Sequence, residues 1–583
     1  MDDYTSHVKS VGRVAPPRPE IIQEKPEKPR TDVGTLVLHW ATAIAFTVSL
    51  LTGLRIAADA LHAPFSKWMS PILPQGEIWT WHFLAGVTLF FCATAYAIFM
   101  LRSGLTQRNT LKKVRVLVMK APRAMKWGAV NVILHWFIYG LVVLLLVTGL
   151  VLYAGYGGWW VYVHSTAAFV GLAYIFVHVV AHYFHGGWQQ ILRVFRPARL
   201  IITSAVRPKP LLIASLIGIA TVGAIAVADW ATRDTLVVGL VQDAPSLDGV
   251  TDERSWANAR PVTVETQQGA NLGGSGASTV EMRATHDGQK IYFAFRWTDP
   301  TRSLRRIPII KKEDGWHLVD DRADRMDVVD FYEDKFSVIF SEQPSFGGAG
   351  VARLGTDPLA SGAPRPLNER GFHYTTDGSF VDMWQWKASR GGALGYVDDQ
   401  YIGPPREPTA ADASYNARYQ GGYWNDPGRA FYSYNFKFLR KGDGTGPVTP
   451  IRLPKHWQTQ VTALGKVDLN PDSNDDENGR WYMFENESEP YTASVDATIP
   501  VGTVLPGVLI MGNYEGDRAD LRGAARWKDG HWTLEVARNL TTGSKFDKDF
   551  VAGRDLYLWV AVFDHSQTRH TRHARPVRVR FKD

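Results

Sequence analysis

The chain has 583 residues, a hydrophobic fraction of 45% and a formal net charge of +7. Its length predicts two or more domains. Divided near Trp230, the chain carries 21 Lys and Arg against 9 Asp and Glu before this point, and 43 against 48 after it. The net charges of the two halves are therefore +12 and −5. A nucleic-acid-binding protein is excluded, because its basic residues would cluster on a recognition domain and not in loops between apolar runs.

The cysteine count excludes several cofactors. Cys92 is the single cysteine and lies in an apolar run. A disulfide framework, a Cys-rich zinc site, an iron–sulfur cluster and covalently attached c-type haem are therefore excluded within this chain.

The first 30 residues are polar and rich in proline, and they lack the apolar surface that folding requires. They predict a disordered cytoplasmic tail and not a signal peptide. Apolar segments follow, each close to the roughly 20 residues that cross a bilayer core. They lie at about 35–56, 79–101, 129–153, 160–183 and 211–228.

The charges of the connecting loops predict the orientation of these segments. The loop at 102–126 and the loop at 193–209 contain eight and five basic residues and no acidic residue. By the positive-inside rule, the tail and both loops are cytoplasmic. An odd number of spans then places everything after about Trp230 on the opposite side, which is the periplasm if the membrane is a bacterial inner membrane.

The second half has a different pattern, with short alternating stretches separated by Gly, Pro, Asn and Asp. This pattern predicts the strands of a β-sandwich. Four of the predicted strands lie at 290–297, 335–340, 532–536 and 556–563.

Ionisable residues inside a membrane are costly and are candidates for function. The predicted spans contain six histidines: His39, His82, His135, His164, His178 and His182.

Their depths form two matched sets. His39 and His178 lie near the cytoplasmic side, whereas His82 and His164 lie near the periplasmic side. His164 and His178 are 14 residues apart, which corresponds to about 21 Å of rise and returns to nearly the same helix face. Two stacked haems, each bound by one histidine of this helix and one of a neighbour, require this arrangement. His135 competes with His39 for the cytoplasmic haem, and His182 is a weaker competitor.

The first and third spans contain an internal repeat. His39-Trp40 is followed, thirteen residues after the histidine, by Thr52-Gly53. His135-Trp136 is followed by Thr148-Gly149 at the same spacing. The two spans are therefore predicted to be related units.

Residues 33–200 resemble the bacterial cytochrome b561 family, which includes the membrane cytochrome b subunits of formate dehydrogenase and nickel–iron hydrogenase. The resemblance depends on His39-Trp40, His82, His164 and His178. It implies a four-helix bundle in which His39 and His178 bind a cytoplasmic-side haem b, and His82 and His164 bind a periplasmic-side haem b. The family exchanges electrons with quinone.

The second half resembles the ethylbenzene dehydrogenase haem-binding domain and the related DOMON type of β-sandwich. The resemblance spans most of 240–580. Its motifs are Gly371-Phe-His-Tyr-Thr375, Val381-Asp-Met-Trp-Gln-Trp-Lys-Ala388, Glu333-Asp-Lys-Phe336 and Ala561-Val-Phe-Asp564.

This second resemblance implies a third haem b that is bound non-covalently, with His373 and His570 as its axial ligands. In the small subunit of the catabolic ethylbenzene dehydrogenase, which is similar to this domain, the haem ligands are instead Met and Lys. Met383 and Lys387 therefore remain alternatives for the first ligand, and His565 and His573 for the second.

A local pattern in the second half predicts Ca²⁺. Asn474-Asp-Asp476-Glu-Asn478-Gly479 followed by Glu485 has oxygen ligands at alternate positions and a glycine at the turn. The alternative is an acidic surface turn.

Together these observations predict the domain organisation. The chain begins with a disordered tail (1–30), which is followed by an all-α membrane domain of four helices with two haems (31–205). A fifth transmembrane helix (206–230) then leads to an all-β haem-binding sandwich in the periplasm (231–583).

The function predicted from this organisation is electron transfer between the quinone pool or the cytoplasmic side and a periplasmic redox protein, such as a molybdenum oxidoreductase subunit. The chain is then an electron-transfer subunit and need not be a complete enzyme. Two alternatives are an oxidoreductase that acts directly on a periplasmic substrate such as a ferric chelate, and a membrane-anchored binding module without redox activity.

Overall fold

The computed structural model describes residues 28–58, 69, 71–199, 209–274, 276–320, 328–354, 371–407, 421–438 and 447–582. Most of the predicted N-terminal tail lies outside the described residues. Five of the helices described are long and apolar enough to cross a membrane. They are α1 (Val33–Ala58), α2 (Ile78–Arg102), α3 (Arg123–Tyr153), α4 (Trp159–Ile191) and α5 (Pro210–Ala231).

These helices expose most of their apolar side chains, as expected for a protein whose solvent is lipid. Helix α1 packs on α2, and α3 packs on α4. Helix α5 packs on α2, where a Cβ at Gly218 would lie 2.7 Å from the Phe91 ring. The absence of a side chain at Gly218 therefore allows the close approach of the fifth helix.

The basic loops lie at one end of the bundle. Arg108 of the first loop forms an ion pair of 2.9 Å with Asp32, which directly precedes α1. Thr31 and Asp32 pair in parallel with Pro197 and Ala198, which follow α4. The start of α1, the loop after α2 and the end of α4 therefore share one face of the bundle.

The rest of the chain is rich in β-structure, with four short helices, α6 (Arg254–Ala257), α7 (Phe346–Ala349), α8 (Trp457–Leu464) and α9 (Ala493–Asp496). The first strands in chain order are β1 (Thr31–Asp32), β2 (Pro197–Ala198), β3 (Thr235–Leu240), β4 (Val262–Thr266), β5 (Ser278–His286), β6 (Lys290–Thr298), β7 (Ile309–Lys312), β8 (Gly315–Leu318), β9 (Lys335–Ser341), β10 (Ala352–Leu354), β11 (Gly371–His373), β12 (Val381–Lys387) and β13 (Asp398–Ile402). The remaining strands are β14 (Tyr423–Asn425), β15 (Gly428–Tyr434), β16 (Phe436–Phe438), β17 (Val448–Pro450), β18 (Arg452–Pro454), β19 (Met483–Phe484), β20 (Ser488–Pro490), β21 (Val504–Leu505), β22 (Val508–Gly516), β23 (Arg522–Lys528), β24 (His531–Asn539), β25 (Leu556–Phe563) and β26 (Val577–Phe581).

The largest sheet has the order β14-β13-β12-β9-β25-β26-β3-β5-β6-β24-β23, with β4 paired to β5. Its two halves enclose an aromatic core in which Phe293 and Trp384 lie edge to face at 5.4 Å. Strand β12 alternates between two environments. Trp384 and Trp386 point into this core, whereas Met383, Gln385 and Lys387 line a cavity on the other face.

The architecture confirms the predicted fold class of an apolar helical region followed by a β-sandwich. Each predicted span lies within one of the five helices, and the four predicted strands correspond to β6, β9, β24 and β25.

Candidate functional site

Two imidazoles face each other at one end of the bundle. His82 lies in the second turn of α2 and His164 in the second turn of α4, and their ring centres are 6.2 Å apart at an interplanar angle of 83°. Bonds of about 2 Å from a metal ion to two imidazole nitrogens on opposite sides require ring centres about 6 Å apart. The two rings are therefore spaced so that His82 and His164 would hold one metal ion between them.

Thr52 of α1 determines which nitrogen of His82 is protonated. Its hydroxyl donates to the carbonyl of Val48 at 2.7 Å and lies 3.0 Å from Nδ1 of His82. The same Nδ1 lies 3.1 Å from the carbonyl oxygen of Ser49, which can only accept. Nδ1 therefore carries the proton, and the lone pair on Nε2 is available to a metal ion.

Thr148 of α3 makes the same arrangement with His164. Its hydroxyl donates to the carbonyl of Leu144 at 2.8 Å and lies 2.8 Å from Nδ1 of His164. The Thr-Gly repeat of the sequence thus has a structural reason, since each copy orients one histidine. A Cβ at Gly53 or at Gly149 would lie 3.2 or 3.6 Å from the Cε1 atom of the oriented ring.

The other bundle histidines form a cluster at the opposite end. The ring of His135 lies 5.6 Å from that of His178 and 6.0 Å from that of His182. His39 lies within electrostatic range of His135 and His178. Nδ1 of His135 donates to the carbonyl of Asn131, and that of His178 pairs with the Tyr174 hydroxyl at 3.0 Å. The structure thus gathers His39 and His178, and it also places His135 and His182 beside them.

A third imidazole pair lies in the β-rich domain. His373 ends β11 and His570 lies in the segment after β25, and their ring centres are 6.1 Å apart at 38°. This separation again fits one metal ion between two histidines. Residues almost 200 positions apart in the sequence therefore meet, as the resemblance implied.

Both of these rings are suited to bind a metal ion as neutral imidazoles. Burial, together with the neighbouring cations Arg572 and Arg353, lowers the pKa of His373 to about 4. Burial and the neighbouring His373 lower the pKa of His570 to about 3. Nδ1 of His570 donates to the carbonyl of Thr571 at 2.7 Å, which leaves its Nε2 with a free lone pair, whereas the buried Nδ1 atom of His373 has no hydrogen-bond partner among the described residues.

The alternative ligands have other partners. His573 donates from Nδ1 to the carbonyl of Arg575 at 2.8 Å and accepts at Nε2 from the Val560 amide at 3.0 Å, so both of its nitrogens are engaged. His565 pairs through Nδ1 with Asp564 at 2.6 Å. Lys387 forms a buried ion pair with Asp398, while Met383 lines the cavity.

Lys335 is a residue of the site to which the sequence analysis assigned no role. Its buried ammonium group lines the cavity, lies 4.0 Å from the ring centre of Phe563 and donates to the carbonyl of Gln567 at 2.7 Å. Burial holds the pKa of Lys335 well below its usual value. The Phe563 ring in turn contacts His570 at 4.9 Å. The motif Glu333-Asp-Lys-Phe336 contained this lysine, but nothing in its spacing indicated a position inside the domain.

The predicted calcium loop has other contacts. Asn474 accepts from the Arg302 amide, and Asp475 accepts from the Leu304 amide and pairs with Arg305 at 3.2 Å. Asp476 accepts from the Lys466 amide at 2.6 Å. Within the described part of the chain, these oxygens do not converge on a common point.

One cavity of about 2520 Å³ connects the two domains. His82 and His164 of the bundle line it, and so do His373 and His570 of the β-rich domain. The volume exceeds the roughly 300–1,000 Å³ of an ordinary ligand pocket. It has room for more than one large planar cofactor.

The β-rich domain docks on the end of the bundle that holds His82. Gly76 and Leu354 exchange backbone hydrogen bonds of 2.7 and 3.0 Å, and Glu77 pairs with Arg353. Arg575 donates to Asp229 at the end of α5 and to Thr232. These contacts join the two domains around the cavity that both histidine pairs line.

Comparison with known proteins identifies both regions. Residues 253–575 match the family model described as ethylbenzene dehydrogenase, and residues 30–197 match that described as prokaryotic cytochrome b561. No curated protein matches the chain significantly.

Two solved structures resemble the chain only weakly. A family 9 carbohydrate-binding module from Caldicellulosiruptor kristjanssonii, in complex with glucose, has 8% identity and a TM-score of 0.21, and the match covers 59% of this chain and 95% of the module. A candidate carbohydrate-binding protein from Bacteroides uniformis has 10% identity and a TM-score of 0.24, with 60% and 100% covered. Similarities this low carry no argument about function.

Proposed function

Because the chain belongs to the ethylbenzene dehydrogenase family and carries a prokaryotic cytochrome b561 region before that domain, we propose that it transfers electrons across a bacterial inner membrane through three haems b. Two haems belong to the bundle and the third to the exported domain. The electrons pass between the quinone pool or the cytoplasmic side and a redox protein in the periplasm. The coarser conclusion, a membrane haem-b protein of electron transfer, follows from the two family matches and the five apolar helices.

The proposal assigns each haem to one histidine pair. His82 and His164 hold the haem at the exported domain, His39 and His178 hold the haem at the basic loops, and His373 and His570 hold the third. Haem iron supplies one-electron transfer. Two histidines per iron leave no open position for oxygen or substrate, so the arrangement favours electron transfer over substrate chemistry.

One observation supports this proposal above all others. The pair His82–His164 and the pair His373–His570 line the same cavity, and the two walls are joined by backbone and ion-pair contacts. A binding module without redox activity would need neither the second pair nor its connection to the first.

The orientation and the partners follow from charge. The start of α1, the loop after α2 and the end of α4 share one bundle end, and the basic residues of the two loops support a cytoplasmic tail and a periplasmic β-rich domain. The half that faces soluble partners carries a net charge of −5. A basic surface on the partner, for example on a molybdenum oxidoreductase subunit, would therefore be attracted to it.

Reduced-minus-oxidised spectra of the purified full chain test this function. Three b-type haems that are all low-spin are expected, because each iron has two histidine ligands. An exchangeable axial position would instead indicate direct action on a substrate. Haem confined to the bundle would contradict the assignment of the third site.

The threonines that orient His82 and His164 are predicted to contribute to haem retention. Thr148→Val keeps the side-chain shape but removes the hydroxyl that pairs with Nδ1 of His164, and Thr52→Val removes one of the two groups that pair with Nδ1 of His82, the other being the Ser49 carbonyl. Hydrogen-bond partners of metal-binding histidines typically contribute 10–100-fold to metal affinity. The rate of haem loss is therefore expected to rise at least about 10-fold in each variant. Haem transfer to apomyoglobin measures the loss. Thr221→Val, at an exposed helical threonine of α5 with only a backbone bond, is the control, and equal haem loss in all three variants would contradict the prediction.

The docking contacts are predicted to be separable from haem binding. Arg575→Ala removes the hydrogen bonds to Asp229 and Thr232, at a cost of about 1–3 kcal/mol to the docked arrangement. We expect faster proteolysis between the domains and an unchanged haem content. A reduced haem content in this variant would show that the arginine acts on a binding site and not on docking.

A further inference from the structure

Four aspartates are buried together behind the cavity. Asp382 on β12 and Asp399 on β13 point away from the cavity, and Asp547 lies in the loop after β24. One carboxylate oxygen from each of these three lies within 4.8 Å of those of the other two. Asp426, just after β14, approaches Asp547. All four side chains are at least nine-tenths buried, with Asp382 and Asp399 at 0% exposure.

Within the described part of the chain, five carboxylate oxygens of this cluster accept no hydrogen bond from any donor. The Oδ2 atoms of Asp382 and Asp547 accept hydrogen bonds, from Arg538 at 2.8 Å and Thr542 at 2.6 Å, but their Oδ1 atoms accept none. Oδ2 of Asp399 is also unpartnered. Neither carboxylate oxygen of Asp426 accepts a hydrogen bond from a described donor, and its close neighbour is the Asp547 carboxylate, which is an acceptor like itself. Buried acceptors without partners cost free energy, so this many in one place indicates a missing positive group.

The net charge of the cluster also indicates a missing positive group. Among the described residues, Arg538 is the basic side chain that forms ion pairs with this cluster, at 2.8 Å to Asp382 and 3.4 Å to Asp547. One guanidinium opposes four carboxylates. Buried charges without partners are strongly unfavourable, so the remaining negative charge requires a cation or bound protons.

We propose that Asp382, Asp399, Asp426 and Asp547 form a binding site for one divalent cation, and that the cation is Ca²⁺. Carboxylate oxygens are hard ligands, and Ca²⁺ takes 6–8 of them in an irregular arrangement that these oxygens and water can supply. Mg²⁺ demands a near-octahedral shell and keeps several waters, which a buried cluster of carboxylates accommodates less well.

The position of the site gives the cation a structural role. Asp382 precedes Met383, which lines the cavity from the opposite face of β12. The Lys548 amide donates to Asp382 at 2.9 Å, and the ring of Phe546 stacks on Tyr401 of β13 at 4.0 Å. A cation in this place ties the loop at 540–555 to β12 and β13, and it stabilises the strands that form one wall of the cavity.

Calcium titration of the purified full chain tests the proposal. After dialysis against chelator, the chain is expected to bind about one Ca²⁺, and Ca²⁺ is expected to raise its unfolding temperature more than Mg²⁺ at the same concentration. Asp399→Asn and Asp426→Asn are expected to weaken Ca²⁺ binding at least tenfold and to lose the thermal response. Glu477→Gln, at an exposed acid of the same domain, should keep both.

The behaviour in chelator separates a metal site from a merely structural cluster. Without cation, Asp399→Asn removes an uncompensated buried charge, so this variant should unfold at the same temperature as the wild type or higher. Three results would overturn the proposal: no bound Ca²⁺ in the wild type, undiminished binding in both variants, or an equal response to Mg²⁺. Stabilisation by acid alone, without any response to cations, would show that protons fill the cluster instead.

Discussion

Replacing His373 or His570 with alanine is expected to remove about one of three haem equivalents from the purified chain. The two rings form one pair with centres 6.1 Å apart, so losing either ring leaves the iron with a single protein ligand. The remaining spectrum should contain only the bundle haems. The amount of extracted haem, divided by the amount of protein, gives the number of haems per chain for each variant.

His573→Ala is the matched control for this experiment. His573 lies three residues from His570 and is more deeply buried, but both of its nitrogens are engaged by the backbone. The variant is expected to be less stable by about 1–3 kcal/mol, because the Val560 amide and the Arg575 carbonyl lose their partner. It should nevertheless keep the full haem content. If His573→Ala loses the haem and His570→Ala retains it, the ligand assignment is wrong.

The second large effect concerns the haem at the basic loops. His39→Ala is expected to lose this haem, whereas His135→Ala is expected to keep it with a shifted spectrum. Both residues face His178, and the ring of His135 lies 5.6 Å from it. The pair of variants therefore decides between them. Retention of both bundle haems in His39→Ala, together with loss of one in His135→Ala, would assign the ligand to His135.

His182→Ala completes this comparison. His182 lies one turn after His178, and their ring centres are 4.6 Å apart. An unchanged haem count is expected, because His182 is proposed to be a polar neighbour and not a ligand. The count is measured by the same extraction.

Periodicity in the sequence was enough to predict the membrane helices and four strands of the large sheet. Apolar runs of about 20 residues leave few alternatives to a membrane span, and the short apolar stretches at 290–297 and 556–563 are typical of strands, which the structure buries on both faces. The Thr-Gly repeat was also visible. Its role was not, because Thr52 orients a histidine of another helix and a repeat within one helix does not show the partner.

The pairing of His373 with His570 required the family resemblance. The two residues belong to separate segments of the β-rich domain, and their approach depends on how strands distant in sequence pair in the sheet. The resemblance supplied this long-range information, which local pattern does not contain.

The aspartate cluster could not be predicted from either the local sequence pattern or the family resemblance. Asp382 lies on the same face of β12 as Trp384, which points into the aromatic core, and Asp399 pairs with Trp384 across the sheet. Alternation thus predicts a buried face, but it does not show that Asp547 and the Lys548 amide of the loop at 540–555 meet these carboxylates there. The loop at 474–485 had the calcium pattern in sequence, but Arg302 and Arg305 occupy its oxygens. Burial and partners, which decide whether oxygens can bind a metal ion, depend on the tertiary fold.

Electron transfer through reconstituted vesicles tests whether electrons cross the membrane through the bundle and leave through the exported domain. The full chain is reconstituted into quinol-loaded liposomes. Protease accessibility of the β-rich domain identifies the preparation in which this domain faces outward. A membrane-impermeant oxidant is then added outside. We expect the oxidant to be reduced in the presence of the wild-type chain, and this reduction to be lost in His82→Ala and in His373→Ala. Reduction at the wild-type rate in His373→Ala would contradict this expectation, because electrons would then leave the bundle without passing through the exported domain.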